Sequence, residues 1–154
     1  MSTYEQGIEV NVPVSVAYNQ WTLFEEFPKF MEGVESVTQV TDTRNHWVVD
    51  IGGVRREFDT EITEQDPDQR IAWKAVDGPS HAGVVTFHRL DDENCRVMLQ
   101  MDFDPDGFLE QVGDKLGFVK ARVAGDMERF KEFIEARGHE EGGWRGEVPQ
   151  RKVG

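Results

Sequence analysis

Apolar positions first alternate along the chain. Ile8, Val10 and Val12 share one face of residues 4–12, which predicts a first strand. Pro13 breaks that run and Ser15 marks a helix start. Beyond it Val16, Asn19, Gln20 and Leu23 gather on one side and Ala17, Trp21 and Phe24 on another, the pattern of a helix of about three turns. Pro28 interrupts, and residues 28–32 predict a second short helical piece ahead of Gly33. From Gly33 the period switches to two. Residues 34–41 form one strand candidate, and 46–51 the next, with Trp47, Val49 and Ile51 together. Arg56, Phe58, Thr60 and Ile62 share a face of the following strand. Residues 70–76 align Ile71, Trp73 and Ala75; 83–90 align Val85 and Phe87; 96–103 align Val97, Leu99, Met101 and Phe103. Gly52-Gly53 is a two-residue hairpin signal, and turn residues at Asp66-Pro67-Asp68, Asp77 to Ser80 and Asp91 to Asn94 separate the rest. Connections this short predict an antiparallel meander.

The last periodic segment is helical. It starts at Asp106-Gly107 and runs to Arg137, where Gly138 supplies a stop. At 100° per residue, apolar side chains from Phe108 and Leu109 to Phe133 and Ile134 fall within a wedge of roughly 120°. A stripe of that length needs a long apolar partner, and the only one available is a curved sheet of six or seven strands. The expected fold is therefore α+β, with a seven-stranded curved antiparallel sheet around a long C-terminal helix and two short helices after the first strand. Gly113, Gly117 and Gly125 interrupt the helix, either as points of bending or as tolerated cost. Asp126 projects into the wedge, where it either pairs with Arg122 or faces a ligand.

Composition narrows the function. With 154 residues, 38% apolar and 31% charged, the chain fits one globular domain, and its net charge of −13 argues against nucleic acid and against a basic membrane-binding patch. The N-terminus lacks the features of a signal peptide, no run is apolar enough to insert in a membrane, and Cys95 is the single cysteine, so a cytoplasmic location is expected. His46, His81, His88 and His139 lack metal-ligand spacing, and nothing in the chain calls for a cofactor. Gly52-Gly53 sits in a hairpin, not before a helix, and reads as a turn and not a phosphate cradle. Ser80-His81 lies in the Gly-Pro loop, where the histidine either faces solvent or rims a cavity. Glu57, Asp59 and Glu61 alternate with the apolar residues of their strand and read as a solvated acidic face.

Three stretches, IEVNVPVSVAYNQWTLFEEFPKF, DGPSHAGVVTFHRL and DMERFKEFIEARG, resemble the polyketide cyclase/dehydrase family of the START-like helix-grip superfamily, which includes coenzyme Q-binding-like proteins. The likeness implies a START-like domain over residues 1–138, followed by a flexible tail, 139–154. It also implies a cavity between sheet and long helix for a small hydrophobic partner such as a lipid, polyketide or quinone-like compound. Trp47, Phe58, Trp73, Phe87, Met101 and Phe103 are the candidate walls on the sheet, and His81 stands at the rim. Phe108, Val112, Leu116, Val119, Val123 and Asp126 are the candidates on the helix. Cyclising members of the superfamily use a strand arginine, a tyrosine after the second helix and an asparagine on the long helix. Anchored on the Gly52-Gly53-Val54 turn, those positions fall at Glu61, Val34 and Asp126, so the catalytic pattern does not transfer. The expected role is a carrier, sensor or chaperone, with a cyclase-type enzyme as one alternative and an interaction module using Trp144 of the tail as another.

Overall fold

The computed structural model describes residues 2–51, 53–77, 81–103 and 115–137. They form strand β1 (Ser2–Val10), helix α1 (Val14–Trp21), a 3₁₀ helix (Phe24–Lys29), strands β2 (Val34–Gln39), β3 (Arg44–Ile51), β4 (Val54–Asp66), β5 (Arg70–Ala75), β6 (His81–Asp91) and β7 (Asn94–Phe103), and helix α2 (Lys115–Arg137). The sheet is antiparallel in the order β1-β7-β6-β5-β4-β3-β2 and curls into a half-barrel. The meander from β2 to β7 is as the alternation implies, and β1 closes the far edge. Register shifts at Val34/Ser36, Ile62/Glu64 and Arg89/Asp91 each insert an extra residue, a device that bends a strand and increases its twist.

Several boundaries differ from expectation. The first strand ends at Val10, and α1 begins at Val14, where the Pro13 carbonyl accepts from the amides of Val16 and Ala17. The second helical piece lies earlier than residues 28–32. It is a 3₁₀ helix with Pro28 inside, and it turns Phe24 and Phe27 inward, with Phe30 following. Gly53, at φ 86, makes the β3–β4 turn in a conformation that a side chain would strain. The helix start at 106, Gly113 and the tail lie outside the described residues.

The inner face of the sheet is set by register. Val37, Trp47 and Phe58 stand side by side on β2, β3 and β4. Ile62, Trp73, Gly83, Met101 and Tyr4 form the next row, and Ile71, Val85 and Leu99 another. Across them α1, the 3₁₀ helix and α2 build an aromatic cluster. Trp21 packs against Phe27, Phe30, Phe87 and Phe130 at ring-centroid distances of 5.7, 6.1, 6.4 and 4.9 Å. On α2, Val123, Met127, Phe130 and Ile134 recur at helical spacing and are buried. Polar contacts fasten α2 to β1: Lys131 Nζ donates to the Glu9 carbonyl (3.0 Å), the Asn11 amide donates to Glu135 (2.7 Å), and Tyr4 Oη reaches the Lys120 carbonyl (3.4 Å). Cys95 is buried opposite Val10, and burial pushes its thiol up to about 11, far from nucleophilic.

The outer face of β3 and β4 is polar. Glu61 accepts from Thr43 and Arg44, and His46 bridges Asp59 (2.6 Å) and Glu57 (3.2 Å). The hydrogen bond to Asp59, then that to Glu57, raises the imidazole pKa above its ordinary 6.5 against a smaller opposing effect of desolvation. The folded chain thus holds that proton more tightly than the unfolded chain. The stabilisation is fully present below the unfolded value and is lost as pH rises through the folded one. The unfolding free-energy difference between the chain and His46→Gln is expected to be larger near pH 5.5 than near pH 8.5 in urea titrations; a difference that grows with pH would contradict this clamp.

Candidate functional site

On β3, β4 and β5 the inner face of the sheet carries an aromatic row with polar groups set in it, and Trp47 at one end of that row packs against Phe24 and Phe27 of the 3₁₀ helix at ring-centroid distances of 6.4 and 5.6 Å. Trp47 and Phe58 stack at 6.2 Å and 15°, and the Trp47 indole N–H donates to Thr60 Oγ1 at 2.8 Å, so the buried ring is satisfied within the sheet. Trp73 lies flat over Gly83 on the neighbouring strand: a Cβ at Gly83 would stand 2.4 Å from the indole. Only a residue without a side chain lets the ring lie there, and Met101 is next in the row.

His81 is not a loop residue. It opens β6 opposite Phe103, on the same face as Gly83, Val85 and Phe87; it is 7% exposed, with its ring edge-on to Phe58 at 4.9 Å. Strand pairing to β7 carries β6 two residues further toward the turn than the Gly-Pro-Ser signal implies, and this turns the imidazole inward. Arg56 shares the inner face. It lies opposite buried Val49 and two residues before Phe58, and is half-buried. Arg55 points outward and pairs with Glu35 at 3.0 Å. Glu61, the position aligned with the cyclase arginine, is also on the outer face, so the inward arginine of β4 is Arg56. The alternation Arg56, Phe58, Thr60, Ile62 already carried that signal.

The other candidate residues separate into groups. Phe87 belongs to the packed cluster, edge-on to Tyr18 at 5.3 Å and near Trp21, and Val123 is buried on α2. Phe108 and Val112 lie outside the described residues, as do the side chains of Phe103, Leu116 and Val119. Asp126 forms its close ion pair with Arg129, feels the Arg122 charge as a lesser influence, and accepts from the Glu32 amide at 3.2 Å. Arg129 also donates to the Phe30 carbonyl (3.0 Å), while Arg122 reaches Glu32 (3.3 Å). These contacts tie α2 to the segment between the 3₁₀ helix and β2. Desolvation raises the Asp126 carboxyl pKa, with the Arg129 and Glu32 hydrogen bonds opposing.

A curled seven-stranded sheet gripping a C-terminal helix is the START-like helix-grip fold. A family model described as polyketide cyclase/dehydrase and lipid transport matches residues 10–132, and the chain belongs to that family. It is 64% identical over 149 residues to an uncharacterized 17.2 kDa protein of the melC2-rnhH intergenic region of Streptomyces lincolnensis, covering 96% of this chain and 99% of that one. Among solved structures, the Zhui aromatase/cyclase from Streptomyces sp. R1128 superposes with a TM-score of 0.75 at 17% identity, covering 93% of this chain and 99% of that one. A START superfamily protein from Mycobacterium smegmatis gives 0.68 at 14% identity, covering 88% and 95%. At such identities the likeness to the solved structures is one of fold. No helix among the described residues is long and apolar enough to cross a membrane.

Proposed function

We propose that the chain holds a small, mainly apolar molecule with one polar end between the inner face of the sheet and α2, as a carrier, sensor or chaperone. One observation carries the reading: Trp47, Phe58 and Trp73 make an aromatic wall, and His81 and Arg56 are set into the same face. Small-molecule sites have this composition, in which an apolar lining supplies affinity and a few polar groups fix orientation. The family description, which joins polyketide chemistry with lipid transport, supports a lipid, polyketide or quinone-like guest. The described apolar stripe of α2 packs toward the aromatic cluster and β1.

Binding of palmitate and hexadecanol, followed through tryptophan emission, tests the proposal. Both are expected to saturate in the micromolar range, and Trp73→Ala to weaken both. Arg56→Met is expected to weaken palmitate about tenfold while leaving hexadecanol within about twofold, because only the carboxylate gains a charge-assisted hydrogen bond. No saturable binding of either probe, together with no small molecule retained in native mass spectrometry, would overturn the reading.

A cyclase-type reaction is a second reading, favoured by the imidazole and guanidinium on one inner face and by the name of the Zhui aromatase/cyclase. An imidazole within reach of a bound carbonyl compound moves protons as a general acid or base. His81→Gln separates the two readings: an enzyme loses turnover while retaining its ligand, and a carrier has no turnover to lose.

A further inference from the structure

We propose that Arg122 receives the anionic end of an amphipathic guest at the seam between α2 and the start of β2. The Glu32 carboxylate is the placeholder that the guest displaces, and Arg56 on the inner face then takes the anion over. The inference rests on the ligand reading above and names the class of guest: an apolar molecule ending in a carboxylate.

The seam is held by charge, whereas the later turns of α2 are held by rings. Arg129 pairs with Asp126 and donates to the Phe30 carbonyl (3.0 Å), so it is committed to the structure. It lies along its own helix over Gly125, where a Cβ would stand 3.1 Å from the guanidinium. Arg122 reaches over Gly33, with Nη1 3.8 Å from the place of a Cβ there. Its charge is met by the Glu32 carboxylate at 3.3 Å, which also lies 3.6 Å from Arg129.

Glu32 combines a fixed backbone with a loose side chain. Its amide donates to Asp126 (3.2 Å), and the Gly33 carbonyl that follows accepts from the Asp50 amide (2.8 Å). Its side chain is 64% exposed. An ion pair so open to solvent contributes little to stability, so this carboxylate exchanges with another anion without disturbing the fold. Arg122 and Arg129 together balance Asp126 and Glu32. When Glu32 swings out, two cations face one carboxylate and the seam is left positive. On a chain of net charge −13, which repels anions from most of its surface, such a spot steers a carboxylate toward it.

The spot also leads inward. Gly33 precedes Val34, and Val34, Val49 and Arg56 form one row across β2, β3 and β4. Two strand spacings, about 10 Å, separate the start of that row from Arg56. Arg56 stands two residues before Phe58, so a head group held there lays its apolar body along the aromatic wall.

Stopped-flow tryptophan emission with dodecanoate and dodecanol, shorter analogues of the pair above, tests the assignment. At about 0.02 M salt, where charges are weakly screened, Arg122→Gln should slow dodecanoate association at least about fivefold and leave dodecanol within about twofold. Arg122→Lys, which keeps the charge, should retain most of the rate. Glu32→Gln removes the placeholder and should speed dodecanoate about two- to threefold, a gain that no damage to the fold imitates. At about 0.5 M salt these differences should vanish. Arg56→Met should act instead on dissociation, releasing dodecanoate faster. Dodecanoate association indifferent to Arg122→Gln, or an equal slowing of both probes, overturns the assignment while the ligand reading stands. Failure of both probes to bind the unmodified chain overturns the ligand reading and this inference with it.

Discussion

Phe130→Ala is expected to cost about 3–5 kcal/mol of unfolding free energy, the usual range for emptying a buried aromatic site. Phe130 is completely buried on α2, with ring centroids 4.9 Å from Trp21 and 5.1 Å from Phe30. Those two rings come from α1 and the residue after the 3₁₀ helix, so one truncation loosens three elements at once. The cavity cannot collapse easily, because Trp21 is also held by Phe27 and Phe87. At about 2–4 °C per kcal/mol for a domain of this size, the melting midpoint should fall by roughly 6–20 °C. Phe130→Leu, which keeps much of the volume, should lose less than half as much. Urea titration of the three chains decides the matter; a loss below about 1 kcal/mol for the alanine variant would mean the cluster is not the centre of the core.

The second large effect is at Gly83. A methyl group there would overlap the Trp73 indole, with Cζ2 at 2.4 Å and Cε2 at 2.6 Å. Trp73 is 6% exposed and has a stiff ring, so it has to leave its place on the sheet. Gly83→Ala is expected to cost about 1–3 kcal/mol through overpacking, and Gly83→Val more. A double-mutant cycle isolates the cause. In a Trp73→Ala background, Gly83→Ala should be nearly neutral, so that most of its cost reappears as interaction energy. Equal costs in both backgrounds would assign the glycine a backbone role instead. Because the same indole forms part of the proposed ligand wall, Gly83→Ala should also weaken palmitate binding.

The sequence displayed the faces of the strands more clearly than their ends. Alternation placed Trp47, Phe58, Trp73 and Phe87 on the inner side, and Glu57, Asp59 and Glu61 on the outer, because one buried side fixes a period of two. His81 escaped because the turn residues before it are strong local signals, while the pairing with Phe103 that makes it a strand residue is distant in sequence. The 3₁₀ helix escaped for a local reason. Phe24, Phe27 and Phe30 recur every third residue, the eclipsed spacing of 3₁₀ geometry, and Pro28 obscured it. Asp126 had arginines one turn away on either side; Arg129, which makes the close pair, also donates to the Phe30 carbonyl, a contact that no local pattern contains. The seat of Trp73 on Gly83 depends on the register between β5 and β6. Arg56 was legible as an inward residue, but its meaning depended on the wall around it.

The neighbour of β1 has a consequence for how the chain is made. Ser2 is aligned with Phe103 and Val10 with Cys95, so the earliest strand of this sheet pairs with its latest. At about 5–20 residues per second, the amino-terminal segment waits several seconds for its mate. The sheet cannot close until translation has passed β7. α2, whose lysine and glutamate grasp the end of β1, emerges later still. Folding should therefore be slow for a domain of this length, limited by closure of the longest loop.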